Sequence, residues 1–428
     1  MGRTVRDNRP NLKPVTKVEL SEEHVGIRIF LVVLLIAVAA AAFAYSLYSC
    51  SRVESGWSEI KVDSSYGASC GDELVFMYEL GAGNMSATAE NKALSLLYSE
   101  AAVQAYKIFN ADISFDGVTN VYDLNQHPNE IMEVDEVLYN AFAMLESYGN
   151  RNIYMSPIYM RYDDMFFCND DVETVDYDPY VNSDVAQEYQ DITCFAADKE
   201  QIDVKLLGDN KVCLYVSKEY LEYAAGNGIT SFIDFFWMKN AFIVDYIADL
   251  LMEKGYTHGA ISSYDGFSRN MDNRDTGVIR YSVNIFDRTG TDINTAAVMQ
   301  YSGARSFVNF RDYMITELDR WHYYEYADGE TRSSYLDIRD GKCRSAVPGL
   351  TSYSKDRACA EIMLAVSPLY IADTLDADAL LSHGSDGIFS VYCENFNIFY
   401  NDESLILSEI YEINGIEYKP NYMSQTSQ

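Results

Sequence analysis

The chain has 428 residues, 65 of them Asp or Glu against 32 Lys or Arg, for a formal net charge of −33 at pH 7. A surface this acidic repels nucleic acid and anionic lipid, and nucleic acid is excluded as a binding partner. Hydrophobic residues make up 48% of the chain, enough for a sizeable buried core and too many for a disordered chain.

The acidic excess begins only after the first fifty residues. Arg3, Arg6, Arg9, Lys13, Lys17 and Arg28 precede IFLVVLLIAVAAAAFAYSLY (29–48), twenty residues without a charge. A run of that length spans the hydrocarbon layer as a helix. The positive-inside rule then places residues 1–28 in the cytoplasm and everything after residue 48 outside. A cleaved signal peptide would have a shorter basic region and a small-residue cleavage site. A lipoprotein box ending at Cys50 would carry a small residue where Tyr48 stands. The reading is a retained single-pass anchor in the cell membrane, followed by a polar stalk over 49–72.

Alternating hydrophobicity predicts strands at 74–80, 212–216, 279–285 and 388–392. Helical spacing is clear over 93–109, where Leu94, Leu97, Ala101, Ala105 and Ile108 share a face, and again over 137–145 and 243–251. Interleaved elements of both kinds imply a mixed α/β (α+β) ectodomain over 73–415, with 416–428 as a tail. Ten acidic and no basic residues lie from Asp163 to Asp191, which reads as a solvated acidic insertion spanning 163–193. It lacks the glycine and closing glutamate of a calcium loop. None of the eight cysteines forms a C-x-x-C pair; Cys168 with Cys194, or Cys343 with Cys359, would close the shorter loops, and free buried thiols are the equal alternative. Thirty-five tyrosines suit either sugar-stacking faces, as in YYEY (323–326) and YDPY (177–180), or simple packing. No P-loop, zinc-protease helix, Rossmann glycine fingerprint or Ser-His-Asp arrangement is present. The charge would suit cations or a basic partner, but no local motif singles one out.

Eight segments in order carry a resemblance. They are SFDGVTNVYDLN (114–125), NIYMSPIY (152–159), IDFFWMKNAFIVD (233–245), GAISSYDG (259–266), RYSVNIFD (280–287), YSG (301–303), YLDIRDG (335–341) and IADTLDADAL (371–380). In this order the chain resembles the FAD:protein FMN transferases, extracytoplasmic enzymes that attach FMN to Thr or Ser of partner flavoproteins. The third segment stands opposite a family pattern L-D-L-G-G-I-A-K-G-Y-A-V-D.

The resemblance implies a flavin transferase-like fold binding FAD and magnesium, with Asn240, Asp245, Gly266, Ser302, Gly303, Asp337 and Gly341 at cofactor-facing positions. Several of these have changed. Phe236 and Trp237 stand where paired glycines would let backbone N–H groups approach a ligand. Asn240 replaces the lysine, and Lys239 lies one position early, about 100° away around a helix. Asp265-Gly266-Phe267 replaces a Gly-Gly-Asp turn, which would set a carboxylate toward a pyrophosphate. Ser334 replaces the histidine, the family's acid/base, a role serine cannot fill near neutral pH; His322 is the available substitute. Asp373 keeps the first metal position, while Ala377 replaces the threonine and Asp376 could stand in for it. Ser367-Pro368 reads as the start of a helix over 368–382. The expectation is a pseudoenzyme, a binding protein for a surface flavoprotein or cell-envelope component. Alternatives are a working transferase using Asp373, Asp376 and His322, or an acidic binding protein with Phe236 and Trp237 as an apolar wall.

Overall fold

The computed structural model describes residues 25–51, 53–274 and 281–424. The chain divides into two units, Met1–Val53 and Glu54–Gln428. The first holds helix α1, Val25–Ser51. Among the described residues no helix is long and apolar enough to cross a membrane. Over the expected span 29–48, the side chains described are those of residues 29–43. The rest of the expected span, 44–48, has side chains outside those described.

The second unit is built on one nine-stranded sheet. Its strands are β1 Gly56–Ile60, β2 Leu74–Leu80, β3 Gly259–Ser263, β4 Phe267–Asn270, β5 Arg305–Arg311, β6 Gly349–Ser354, β7 Phe389–Glu394, β8 Asn397–Tyr400 and β9 Lys419–Tyr422. They lie in the sheet in chain order, each antiparallel to the next except the parallel pair β8–β9. Two stretches expected outside the domain are therefore part of it. Gly56–Ile60, in the expected stalk, pairs with β2 from Gly56–Leu80 to Ile60–Phe76. Lys419–Tyr422, in the expected tail, pairs with β8, and Tyr418 just before it is buried and donates to Asp287 Oδ2 at 2.8 Å. Short polar strands carry little hydrophobic signal, so pairing with a partner strand, rather than composition, fixes them.

Five helices of this unit matter for the site: α2 Ala87–Ile108, α3 Ser156–Phe166, α4 Lys239–Glu253, α5 Cys359–Tyr370 and α6 Ala377–Ser385. Helices α2, α4 and α5 pack on one face of the sheet. Alternation in β2 sends Leu74, Phe76, Tyr78 and Leu80 to the buried side, and Phe76 meets Tyr98 of α2 edge-on at 5.3 Å. In β5, Phe310 stacks on Tyr370 of α5 at 5.0 Å, while Phe307 points to the opposite face. There a three-stranded sheet, Tyr281–Thr289, Asp292–Tyr301 and Ile406–Ser408, contributes Ile285, Ala297 and Met299 to a second core with Val391 and Ile398.

Other expectations change as well. The acidic insertion is helical, with α3, Asp171–Thr174 and Ser183–Ala197. Asp178 within it is fully buried, accepting from Arg332 Nε at 2.9 Å and Tyr326 Oη at 2.6 Å. Acidic composition marked the exposed faces but hid Tyr189, which is fully buried. Residues 233–234 are not a strand, and α4 begins at Lys239 after a 3-10 turn Phe236–Met238. Ser367 and Pro368 lie in the last turn of α5; α6 begins later, capped by Asp376. The seven described cysteines are all free thiols.

Candidate functional site

Several of the segments that carry the resemblance meet around the start of α4. Asn125 is buried and clamps the approach to it: its Oδ1 accepts from the backbone N–H groups of Phe232 and Ile233, and its Nδ2 donates to the Ile233 carbonyl. Asp234 N donates to the Ile153 carbonyl, and Ser156 Oγ lies 2.7 Å from Ser231 Oγ. These bonds replace strand pairing and hold 231–235 in place without a ladder.

Beside this junction opens a cavity of about 450 Å³. Glu73, just before β2, stands at its polar end. Lys239 Nζ donates to Glu73 Oε1 at 3.1 Å, and Asn240 Nδ2 donates to Glu73 Oε2 at 3.1 Å and to Asp265 Oδ2 at 3.0 Å. Lys239 thus reaches the same carboxylate as Asn240, contrary to the expectation that its offset turns it away. It stands at the first helical residue after a 3-10 turn, and its long stem covers the angular difference. Burial would raise the Glu73 carboxyl, but Lys239 and Asn240 outweigh it and hold it below its ordinary value. Asp265 is raised, first by burial. His322 lines the same cavity; burial lowers it, so the imidazole is neutral near pH 7.

Ser334, at the histidine position, is buried and donates its N–H to the His322 carbonyl at 3.1 Å. His322 is therefore the neighbour of Ser334, held by the hairpin of Tyr323–Glu325 and Thr331–Ser333. Trp237 is 2% exposed and packs edge-on against Tyr335 at 5.5 Å and Phe310 at 5.9 Å. It fills the core and is not a cavity wall; of the two, Phe236 lines the cavity.

The remaining expected positions lie elsewhere. Asp245 is nearly buried and caps a neighbouring helix, accepting from Cys359 N at 2.9 Å and Ala360 N at 2.8 Å at the start of α5, and from Arg269 Nη1 at 3.2 Å. Gly266 has φ +108°, and a Cβ there would lie 2.3 Å from the Asn309 carbonyl oxygen; its glycine serves the protein's own backbone. Ser302 and Gly303 form the turn into β5, with Gly303 at φ +77° in open space. Gly341 has φ +72°, and a Cβ would meet Ile158 at 2.8 Å and Tyr189 at 3.0 Å.

Asp337 and Asp373 come together around arginine. Arg344 donates from Nη1 to Asp337 Oδ2 at 2.9 Å, from Nε to Asp373 Oδ1 at 2.8 Å, and from Nη1 and Nη2 to the two oxygens of Asp340 at 2.7 Å each. Arg339 adds bonds to Asp337 and, at 3.5 Å, to Asp373. Asp376 accepts from Ala379 N at 3.0 Å as the cap of α6, and Ala377 offers no ligand atom. Among the described residues, no group of three or more His, Cys, Asp or Glu is placed to hold a metal ion. The donor set does not fit magnesium, since a guanidinium already neutralises the acids that would face it. Nor does the α4 cavity fit a dinucleotide phosphate, because carboxylates line its polar end and Asn240 spends both amide protons on them.

Glu73, Asp163 and Arg344 were not singled out from sequence. Arg344 closes the charge-alternating run DIRDGKCR (337–344), the one local signal that could have pointed to it. No protein-family model and no curated protein matches the chain. Among solved structures, the ApbE protein of Thermotoga maritima MSB8 is similar with a TM-score of 0.53 at 12% identity, covering 82% of this chain and 97% of its own. The flavin transferase ApbE from Vibrio cholerae gives 0.52 at 12% identity, over 83% and 98%. The chain has a mixed α/β fold distantly like that of the ApbE flavin transferases.

Proposed function

We propose that this is a membrane-anchored, extracytoplasmic protein that keeps the flavin-transferase fold without its transfer chemistry and acts as a binding protein. The observation that carries the reading is Arg344. Its guanidinium joins Asp337 and Asp373 at 2.9 and 2.8 Å, at the place where the resemblance calls for a divalent cation. A cation there would have to displace a charge-assisted, multiply bonded arginine, the strong class of side-chain pair. Asn240 bound to two carboxylates and a buried Ser334 at the acid/base position support the same reading. The uncharged run at 29–48 behind a basic N-terminus supports the anchor. A surface flavoprotein or cell-envelope component is the partner this location suggests.

The test is a flavin-fluorescence titration of the full-length chain in detergent with FAD, with and without magnesium. No saturable binding is expected up to about millimolar FAD, a loss of several kcal/mol relative to micromolar binding. No FMN is expected to transfer to a threonine-containing acceptor peptide. Micromolar, magnesium-dependent binding would overturn the reading.

A further inference from the structure

We propose that the cavity beside α4 is a binding site for an organic ammonium group carried on a short apolar chain. This deepens the proposed function and rests on its premise that the cavity no longer takes a flavin dinucleotide.

The charge balance selects the ligand class. Glu73, Asp112, Asp163 and Asp234 line the cavity against one ammonium, Lys239, and that ammonium is committed to Glu73 at 3.1 Å. Among the described residues, Asp112, Asp163 and Asp234 have no ion-pair partner within 4 Å, which leaves three carboxylates for an incoming cation. An anion would meet net repulsion, and a neutral sugar would leave that charge unanswered.

Asn240 supplies an independent pointer. It is 3% exposed, lines the cavity, and its Oδ1 has no hydrogen-bond partner. Its orientation is fixed, because both Nδ2 protons go to carboxylates, so the orphaned atom is an acceptor. His322 Nδ1, in the same lining, is also without a partner. An ammonium, with three donors and no acceptor, is the group suited to an unpaired acceptor among carboxylates. Apolar groups suit the attached chain. Phe109 and Phe236 line the interior, and Phe167 and Trp321 stand 4.7 Å apart, both exposed, as aromatic faces for a cation and its methylenes. A volume of about 450 Å³ accommodates a diamine or one lysine side chain, within the usual range of small-ligand pockets.

Asp163 is pushed up to about 7, by desolvation first and then by Asp234, Asp112 and Asp164, with Lys239 opposing. Asp234 is pushed up to about 6 for the same leading reason, with the Phe236 N–H and Lys239 opposing. Glu73, neutral His322, Tyr106 and the Cys70 thiol, which burial raises, complete the charged and titratable groups of the lining. Ammonium binding requires the ionised carboxylates, so affinity falls as pH drops through these values and binding releases protons.

The experiment is isothermal titration calorimetry of the full-length chain in detergent with putrescine, with a short lysyl peptide blocked at both ends, and with 1,4-butanediol. Putrescine or the lysyl peptide is expected to bind in the micromolar range and about tenfold more tightly near pH 8 than near pH 5.5. Tighter putrescine binding assigns a small free polyamine; tighter peptide binding assigns a lysine presented by a partner. The diol is expected not to bind. Asp163→Asn, which breaks no side-chain hydrogen bond among the described residues, is expected to weaken binding about tenfold. So is Asp234→Asn, which keeps an acceptor for the Phe236 N–H. No heat with either amine at millimolar concentration, unchanged affinity in Asp163→Asn, or diol binding equal to that of the diamine overturns the inference. An FAD titration of the same preparation separates the two readings: absence of both ligands overturns the ammonium site alone, whereas FAD binding overturns the proposed function.

Discussion

Phe236 has φ +42°, a left-handed backbone that costs an L-residue about 1–2 kcal/mol and suits glycine. The resemblance places a glycine there, so the backbone has kept its course while the side chain changed. Two contacts hold the strained residue: its N–H donates to Asp234 Oδ1 at 2.9 Å, and its ring stacks on Tyr159 at 4.5 Å. Such a stack contributes about 0.5–1.5 kcal/mol beyond area burial. Replacing Phe236 with alanine removes the stack and keeps the strain, whereas glycine removes both. Phe236→Gly is therefore expected to be more stable than Phe236→Ala by about 1 kcal/mol, the reverse of the usual order. Urea unfolding of the two variants reads this directly, and an alanine variant as stable as the glycine one would sink it. At this scale residue identities were legible in advance and their partners were not. Gly266 was legible as a required glycine, but the close approach it permits is to Asn309 of its own sheet. The Lys239 offset was legible, yet a 3-10 turn invisible to periodicity brought its ammonium back to Glu73.

Elements are joined here by side chains capping helices other than their own. Asp245 in α4 accepts the first two free N–H groups of α5 and pairs with Arg269 of β4. One carboxylate thus fixes two helices and a strand; burial raises it to about 6, against Arg269 and the N–H groups at the N-terminus of α5, which favour its charge. Asp245→Ala leaves Arg269, among the described residues, with only the exposed Asp249 and strands two buried donors, so about 3–5 kcal/mol of stability is expected to be lost. Hydrogen exchange is the discriminating readout. The amides of Cys359 and Ala360 should lose protection by more than the global change, and uniform loss across the domain would argue against a capping role. Strand 74–80 was legible because each alternate residue enters the core. The start of α5 was not: Ser367-Pro368 has the composition of a helix start but lies in the last turn of α5, whose first N–H groups are capped by Asp245, more than a hundred residues earlier, while α6 has its own local cap in Asp376. Through-space capping leaves no local trace. The Arg344 cluster was hidden for the same reason, since Asp373 reaches it from a different part of the chain.

For the molecule as a whole, a net charge of −33 and several recessed acids favour a stability optimum on the acid side of neutrality. Desolvation leads in raising Asp234, Asp245 and Asp312 to about 6 from an ordinary value of 3.8; it raises Asp265 and Asp287 too, and Asp163, whose side chain is exposed and surrounded by Asp234, Asp112 and Asp164, is raised to about 7. Between about pH 4 and 7 the folded chain holds protons that the unfolded chain has released, so its stability rises as pH falls through that window. A tenfold change in proton affinity corresponds to about 1.4 kcal/mol, which makes about 3 kcal/mol an upper figure for each of the partly enclosed Asp234 and Asp312, less what solvent screening removes. His322 opposes this, since burial lowers it and unfolding lets it protonate below its ordinary 6.5. Glu73, Asp272 and Asp340 have lowered values, so their contribution is lost only as pH falls through their folded values, beneath the window. The acids outnumber the histidine, and protonation also relieves self-repulsion. Calorimetry at constant ionic strength is expected to show Tm rising by on the order of 5 °C from about pH 8 to about pH 5.5. Surface repulsion is screened at about 0.5 M salt whereas recessed groups are screened much less, so a rise that vanishes in salt would assign the effect to net charge alone. A Tm that falls over the same interval would mean that the recessed acids are ionised in the folded protein, and that the polar lining beside α4 is more open to water than its packing indicates.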